Sequence, residues 1–158
     1  MLSIRPARED DAALIYEMLK ASATEQGFPD ELAVTEDSVR EDGFGPQPRF
    51  RVLIAEADST PAGMALFFIN YSTWGSRLGL YLEDIYVRPE YRRSGVALAL
   101  LRRLAALARE ENCGRFQWVV HRENERAIRL YESFGAKTLQ EWLLMSIKGA
   151  DLDRYTPV

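Results

Sequence analysis

The chain has 158 residues and a formal net charge of −4, and 47% of its residues are hydrophobic while 28% are charged. These values are typical of a water-soluble globular protein, and the length suits a single domain over residues 1–158. The negative charge disfavours nucleic-acid binding, which usually requires a basic face.

The chain has one cysteine and one histidine, so it can form neither an internal disulfide nor a zinc site of the usual kind, and we expect no metal. No stretch approaches the ~20 apolar residues that cross a membrane, and the first residues lack the apolar segment of a signal peptide. The sequence therefore predicts a cytoplasmic protein with no membrane contact.

Hydrophobic periodicity and turn residues predict an alternation of strands and helices along the chain. The predicted strands are 2–6, 50–56, 63–71, 78–87, 115–121 (a buried strand) and 139–147, and the predicted helices are 7–23, about 36–43, 97–111 and 125–134. Thr35 and Ser38 form a capping box before the second helix. The order β-α-α-β-β-β-α-β-α-β indicates an α/β domain with a mixed central sheet.

The most informative stretch joins the strand 78–87 to the long helix that follows it. Pro89 ends the strand, and a basic turn with Arg92, Arg93, Gly95 and Ala97 leads into the helix, which we expect to end with Gly114 in a left-handed conformation. The first amides of a helix lack partners within it and lie at the positive end of its dipole. Gly95 and Ala97 leave space for a phosphate, so a pyrophosphate site is one interpretation of the turn. Taken alone, a basic turn of this kind is more often a solvated surface turn.

Residues 92–97, RRSGVA, resemble the acyl-CoA-binding signature Arg/Gln-x-x-Gly-x-Gly/Ala of the GNAT family of N-acetyltransferases. Residues 35–56, 81–84 and 124–136 resemble the diamine (spermidine/spermine) N-acetyltransferases within that family. The resemblance covers nearly the whole chain. It implies the GNAT fold, acetyl-CoA as the co-substrate and a homodimer. In that fold the strand ending near Val87 and the strand from Arg115 are parallel and splay apart to leave a cleft.

The resemblance assigns the acetyl-CoA contacts mainly to two segments. The turn amides would bind the pyrophosphate, and the backbone edge of the preceding strand would pair with the pantetheine arm. Asn124 resembles a further cofactor contact and is also suited to cap the helix after it. The residues expected to bind the cofactor are Ile85, Tyr86, Val87, Arg92, Arg93, Ser94, Gly95, Val96, Ala97, Leu98 and Asn124.

Tyr131 is the expected general acid. It lies two helical turns after Asn124, and a phenol with a pKa of ~10 is suited to protonate a departing thiolate with a pKa of ~8.5. The resembling enzymes have their proton donor at this position, whereas the residues alone favour a core aromatic.

Glu83 and Asp84 are the carboxylates expected to act on the amine. As neighbours on a strand they point to opposite faces unless a bulge turns one of them. The resemblance implies that they line the amine site and that Glu83 binds the amine or relays its proton through water. The alternative is an exposed strand edge or a salt bridge to Arg77 or Arg88.

Trp74, Glu141 and Trp142 match further positions near the amine pocket of the resembling enzymes. Two departures stand against a close match to them. Glu25 and Gln26 replace a Tyr-Glu pair, and the segment between Tyr131 and Trp142 is shorter.

These features predict an N-acetyltransferase that moves an acetyl group from acetyl-CoA to a primary amine of a polyamine, diamine or thialysine-like substrate, by direct attack in a ternary complex. Two alternatives are an acetyltransferase for a protein, peptide or antibiotic amine, and a non-catalytic acyl-CoA-binding module.

Overall fold

The computed structural model describes residues 1–155, which divide into two compact units, Met1–Asn124 and the residues from Glu125 onward. The first unit is built on one five-stranded sheet with the strands in sequence order. Its strands are β1 (Leu2–Pro6), β2 (Arg51–Ala57), β3 (Thr60–Ser72), β4 (Arg77–Val87) and β5 (Arg115–Gln117). β1 to β4 are antiparallel neighbours, and β5 runs parallel to β4.

Four α-helices accompany these strands. They are α1 (Ala12–Gln26), α2 (Glu36–Phe44) and α3 (Val96–Glu110) in the first unit, and α4 (Glu125–Phe134) in the second. Short 3₁₀ turns occupy Glu9–Asp11, Pro29–Glu31, Pro89–Tyr91 and Gly149–Arg154.

The two faces of the sheet bury separate sets of side chains because neighbours on a strand alternate between faces. On one face, α1 and α2 pack against β2, β3 and β4 around Ile15, Met18, Ile54, Met64 and Tyr86. On the other, the apolar stripe of α3 supplies Leu100, Leu101 and Leu104, all fully buried. Burial on both faces makes the sheet a rigid support for whatever its edge binds.

Local signals in the sequence explain several elements well. The α2 capping box is confirmed, because the Ser38 amide donates to Thr35 Oγ1 at 3.1 Å while the Thr35 amide donates to Ser38 Oγ at 2.8 Å. The predicted hairpin between β2 and β3 closes with Asp58 and Ser59 both at positive φ, the type I′ arrangement that matches strand twist. β1 and α4 have the predicted bounds.

Other boundaries differ from the prediction. α1 is preceded by a 3₁₀ turn, so it begins later than expected and extends to Gln26, where Gly27 at φ +84° ends it. The end of α3 was also predicted wrongly. Asn112, at φ +55°, takes the left-handed position, because the helix stops at Glu110. Gly114 instead allows a close approach, since a Cβ there would lie 3.2 Å from the Arg77 side chain.

The prediction of strands at the end of the chain is wrong in two places. β5 stops at Gln117, and Val119 and Val120 are exposed rather than buried. Residues 139–147, expected to form the final strand, form no strand in the structure and pair with none of the strands above. An extended segment needs a neighbouring strand to satisfy its backbone, and without one its apolar side chains Leu143, Leu144 and Met145 remain largely exposed. The observed order of strands and helices within residues 1–155 is therefore β-α-α-β-β-β-α-β-α.

No helix within residues 1–155 combines the length and the apolar character needed to cross a membrane.

Candidate active site

The sheet opens where the sequence predicted a splayed pair of strands. β4 and β5 are paired only from Gly79 to Tyr81, opposite Arg115 to Gln117. From Leu82 to Val87, β4 is hydrogen-bonded on its β3 side and has no β5 partner among residues 1–155. The backbone of this half of β4 is therefore available at one edge, as required for an extended amide-bearing molecule to add to the sheet.

A β-bulge interrupts β4 at Glu83. Leu82 pairs with Phe67 and Asp84 pairs with Leu66, so Glu83 is an extra residue with no partner of its own on β3. Because Leu66 and Phe67 face opposite sides of the sheet, Asp84 lies on the other face from Leu82. The bulge thus brings Asp84 and Tyr86 to the face covered by α1. It is the bulge that the sequence required if the adjacent carboxylates Glu83 and Asp84 were not simply to point to opposite faces of the sheet.

Glu83 and Asp84 together line an acidic cleft between α1 and β4. The cleft has a volume of about 370 Å³, which is in the range of small-molecule sites. Its apolar wall comes from α1 and from the 3₁₀ turn after it, and its polar groups include three carboxylates. The lining residues are Leu19, Ser22, Ala23, Gln26, Phe28, Glu31, Leu32, Glu83 and Asp84.

Asp84 is the perturbed carboxylate of this cleft. Burial raises its pKa from 3.8 to about 6, and the nearby charge of Glu83 adds to the shift. The acid is half-buried, and a positive ligand group beside it would lower that pKa again because it favours the charged form. The expected alternative, a salt bridge from this pair to Arg88, is not formed, since Arg88 binds Glu17 at 2.8 Å.

The basic turn after β4 has the backbone geometry of an anion site. Arg93 and Gly95 adopt left-handed conformations at φ +65° and +86°, and Gly95 is the residue before the first turn of α3. Within residues 1–155, no heavy atom other than those of Gly95 and its chain neighbours lies within 4 Å of where a Gly95 Cβ would stand, so the approach to the first amides of α3 is open on this side. Arg93 and Ser94 are exposed at the same place. These features fit a pyrophosphate group.

The Arg92 side chain, unlike the exposed side chain of Arg93, is held by hydrogen bonds within the protein. Its Nη2 donates to both carboxylate oxygens of Glu25, at 2.7 and 2.5 Å, and its Nε donates to the Val87 carbonyl at 2.9 Å. Its guanidinium lies 5.8 Å from the ring centre of Tyr86, whose hydroxyl donates to Glu25 at 3.2 Å. The Arg92 side chain, which the sequence predicted to contact the cofactor, is therefore hydrogen-bonded to Glu25 at the end of α1.

Comparison with known proteins identifies the family to which the chain belongs. The family model for the acetyltransferase (GNAT) family matches residues 13–136. The chain belongs to the GNAT acetyltransferase family. The prediction of an acyl-CoA-dependent N-acetyltransferase is thereby confirmed, and acetyl-CoA is the co-substrate that this family uses.

The chain is also similar in sequence to individual acetyltransferases of known substrate name. The chain is 36% identical over 146 residues to the thialysine N-epsilon-acetyltransferase of Sus scrofa, which covers 87% of this chain and 85% of that protein. It is 40% identical over 92 residues to an L-ornithine N5-acetyltransferase of Arabidopsis thaliana, covering 58% of this chain and 40% of that one. A spermidine/spermine N(1)-acetyltransferase-like protein of Homo sapiens is 32% identical over 143 residues, covering 86% of this chain and 20% of that protein.

Solved structures agree on the fold. An integron cassette protein from the mobile metagenome of V. cholerae superposes with a TM-score of 0.79 at 23% identity, covering 97% of this chain and 96% of the other. A ribosomal-protein-alanine N-acetyltransferase from Brucella melitensis superposes with a TM-score of 0.76 at 21% identity, covering 94% and 99%. The GNAT fold predicted from the turn and the element order is therefore confirmed.

The second unit of this acetyltransferase carries the expected acid. Tyr131 lies in α4, is half-buried, and has its pKa raised above the ordinary value because burial disfavours the phenolate. Its phenol is therefore protonated at neutral pH. Gly135, at φ +102°, follows the end of the helix, and the Ala136 amide donates to the Tyr131 carbonyl at 2.9 Å.

Trp74, Glu141 and Trp142 are the remaining residues predicted to bind the amine. Trp74 lies at the tip of the β3–β4 hairpin with 94% of its surface exposed. Glu141 and Trp142 lie in the second unit, in the irregular segment after α4, and both are exposed. Their roles stay predictions.

Several cleft residues were missed from the sequence. Ser22 lies in the predicted helix 7–23, whereas Gln26, Phe28 and Glu31 follow it in a stretch that the sequence predicted as a loop or a broken helix. Proline is typical of the first position of a helical turn, so Pro29 was the signal in the sequence for the 3₁₀ turn that carries Glu31.

Proposed function

We propose that this GNAT acetyltransferase transfers the acetyl group of acetyl-CoA to a primary amine of a small cationic molecule, by direct attack in a ternary complex. The observation that carries the proposal is the acidic cleft, with Glu31, Glu83 and Asp84 beside the open half of β4. Three carboxylates around one cleft favour a ligand with positive charge.

The cofactor would lie along β4 and end at the basic turn. The amides of Val96, Ala97 and Leu98 and the Arg93 and Ser94 groups would hold the pyrophosphate, while the edge at Ile85, Tyr86 and Val87 would pair with the pantetheine arm. Asn124 is proposed as a further contact. These roles rest on the open β4 edge and the left-handed geometry of the turn.

Acetyl-CoA supplies a thioester whose acyl carbon accepts the amine nitrogen, so that a C–N bond forms and the C–S bond breaks. A backbone amide near the Glu83 bulge would stabilise negative charge on the thioester oxygen. Tyr131 would donate its phenolic proton to the leaving thiolate. The amine must arrive neutral, and Asp84, with a pKa of about 6, is better suited than an ordinary aspartate to accept its proton through water, beside Glu83.

The relatives support an amine of this class. Their names specify thialysine and L-ornithine, which both carry a terminal primary amine on a short chain. The nine residues lining the cleft include three carboxylates and no lysine or arginine, so the charged groups of the lining are all acidic. A homodimer, a cytoplasmic location and amine contacts from Trp74, Glu141 and Trp142 complete the proposal.

The first experiment measures CoA release from acetyl-CoA with a panel of amines: thialysine, ornithine, putrescine, spermidine, spermine and a lysine-containing peptide. Release that depends on a small amine is expected. Preference for the peptide would favour the protein-amine alternative, and acetyl-CoA binding without release on any amine would favour a binding module. Because the chain has a single cysteine, thiol-detecting reagents see one background thiol per chain.

Tyr131→Phe tests the acid. We expect kcat to fall about 100-fold, the lower end of general acid catalysis, with the KM for acetyl-CoA within about twofold. Tyr155→Phe, an exposed tyrosine of the same unit, is the control and should match the wild type. An unchanged kcat for Tyr131→Phe would assign the proton donor elsewhere.

A further inference from the structure

Arg92 is fixed at four points, although it opens the sequence expected to bind phosphate. Its guanidinium donates to both oxygens of Glu25 and to the Val87 carbonyl, and it stacks toward the ring of Tyr86. Tyr86 is itself 7% exposed and donates its hydroxyl to Glu25. One carboxylate at the end of α1 thus holds a group from the turn and a group from β4.

This arrangement differs from an ordinary surface ion pair, which contributes little because two mobile side chains must be held in place. Here the tyrosine is held in the core cluster and the Val87 carbonyl belongs to the sheet, so Arg92 has rigid partners on two sides. The partners are also far apart in sequence, with Glu25 and Arg92 separated by 67 residues. Arg92 connects the end of β4 to the turn in which Arg93 and Gly95 take left-handed conformations.

We propose that Glu25 is a positioning residue for acetyl-CoA, which holds Arg92 against β4 so that the turn at residues 92–97 keeps the conformation that presents its amides to the pyrophosphate. Arg92 acts through its hydrogen bonds within the protein, and Arg93 together with the α3 amides meets the phosphates. The inference rests on the proposed function, because it takes this turn as the acetyl-CoA site.

The opposite model makes a prediction of opposite sign. If Arg92 itself bound phosphate, Glu25 would compete with the cofactor, and removing the carboxylate would strengthen acetyl-CoA binding. If Glu25 positions Arg92, removing the carboxylate weakens binding. The direction of the change therefore decides between the two roles.

The experiment uses the full chain with Glu25→Gln, Glu25→Asp and a control, Glu17→Gln. Glu17 lies on the same helix and binds Arg88 at 2.8 Å. Arg88 lies four residues before the turn at residues 92–97, so the control removes a similar ion pair outside that turn. We measure kcat, the KM for acetyl-CoA and the KM for the amine, and the Kd of CoA by calorimetry. Because Gln26 lines the acidic cleft, the KM for the amine reports any damage there.

For Glu25→Gln we expect the KM for acetyl-CoA and the Kd of CoA to rise about tenfold, as for the loss of a charge-assisted bond, with kcat and the KM for the amine within about twofold. Glu25→Asp should recover much of the loss, and Glu17→Gln should match the wild type. A lower Kd of CoA in Glu25→Gln, no change, or an equal rise in Glu17→Gln would overturn the proposal.

A double-mutant cycle with Arg92→Gln completes the test. Since the two side chains act as one unit, Glu25→Gln with Arg92→Gln should bind CoA no more weakly than Arg92→Gln alone. Additive losses would overturn the proposal, because they would mean independent roles. Failure of the proposed function is separate and visible in the wild type, as an absence of CoA binding or of amine-dependent CoA release.

Discussion

The two halves of β4 differ in what surrounds them, although they belong to one continuous strand. The first half, from Arg77 to Tyr81, is paired with β3 throughout and with β5 from Gly79 to Tyr81. The second half, from Leu82 to Val87, is paired on the β3 side, contains the Glu83 bulge and borders the acidic cleft. The first half anchors the sheet, and the second has one edge left for a ligand.

This contrast explains how a rigid sheet can also hold a site. An unpaired strand edge ordinarily invites aggregation, and proteins interrupt such edges with charges and bulges. The second half of β4 has both, and here they also line the acidic cleft. Changes in the first half should therefore act on stability, and changes in the second half or in the turn after it should act on activity.

The largest effect is expected for Leu80→Ala in the first half. Leu80 is 1% exposed, and truncating such a leucine should lower the free energy of unfolding by about 2–5 kcal/mol, because a cavity replaces its contacts. Urea unfolding measures the loss, and kcat/KM per folded molecule should stay within about threefold of the wild type.

The matched control is Leu78→Ala, on the same half but 39% exposed, which should cost less than half as much stability. If Leu80→Ala instead lowered kcat/KM as strongly as stability, the two halves of β4 would not be separable.

Asp84→Asn, in the second half of β4, should lower activity rather than stability. We expect kcat/KM for the amine to fall about 10- to 100-fold, as for loss of a charged hydrogen bond, without loss of stability at pH 7. Asp58→Asn, at the exposed β2–β3 turn, is the control and should keep full activity. An unchanged amine kcat/KM for Asp84→Asn would remove this carboxylate from the site.

The same variant has a signature in pH. Folding raises the pKa of Asp84 from 3.8 to about 6, so the folded state favours the protonated acid. The resulting stabilisation is fully present below pH 3.8 and is lost as the pH rises through about 6. The wild type should therefore lose stability relative to Asp84→Asn between pH 4 and pH 7, as measured by urea unfolding at several pH values.

Gly95→Ala should have the smallest effect of the three. The positive φ of Gly95 costs an alanine about 1–2 kcal/mol in stability. The new Cβ stands in the space proposed for phosphate, so the KM for acetyl-CoA should rise about fivefold, the equivalent of ~1 kcal/mol.

Gly27→Ala is a close control because its φ of +84° nearly equals the +86° of Gly95 and its Cβ position is also open. It should show the same loss of stability with an unchanged KM for acetyl-CoA. Equal KM values for the two variants would mean that Gly95 serves the backbone alone.

Elements set by local chemistry were predictable from the sequence. The α2 capping box needs two residues three apart, and α4 has a strong apolar stripe and a terminal glycine at positive φ. The anion geometry of the turn was predictable for the same reason, since Gly95 before a helix is a local pattern.

Features that depend on distant pairing were not predictable. The Glu83 bulge is defined by counting residues against β3, which no window on β4 alone contains. The partner of Arg92 lies 67 residues away, so its charge was expected to serve phosphate. Residues 139–147 have the composition of a strand, but a strand also needs a free edge to pair with, and composition carries no information on that.

The bulge at Glu83 also sets how much length variation this part of the chain can tolerate. Deleting Glu83 would remove the bulge and leave Asp84 opposite Leu66, so the later side chains would keep their faces while the cleft would lose one carboxylate. Deleting Ile85 with the bulge in place would turn Tyr86 toward the face covered by α3. The hairpin tip at residues 73–76 has no such constraint. We therefore expect insertions and deletions among related acetyltransferases to occur mainly at the tip, while the spacing from the bulge to the turn at residues 92–97 remains fixed.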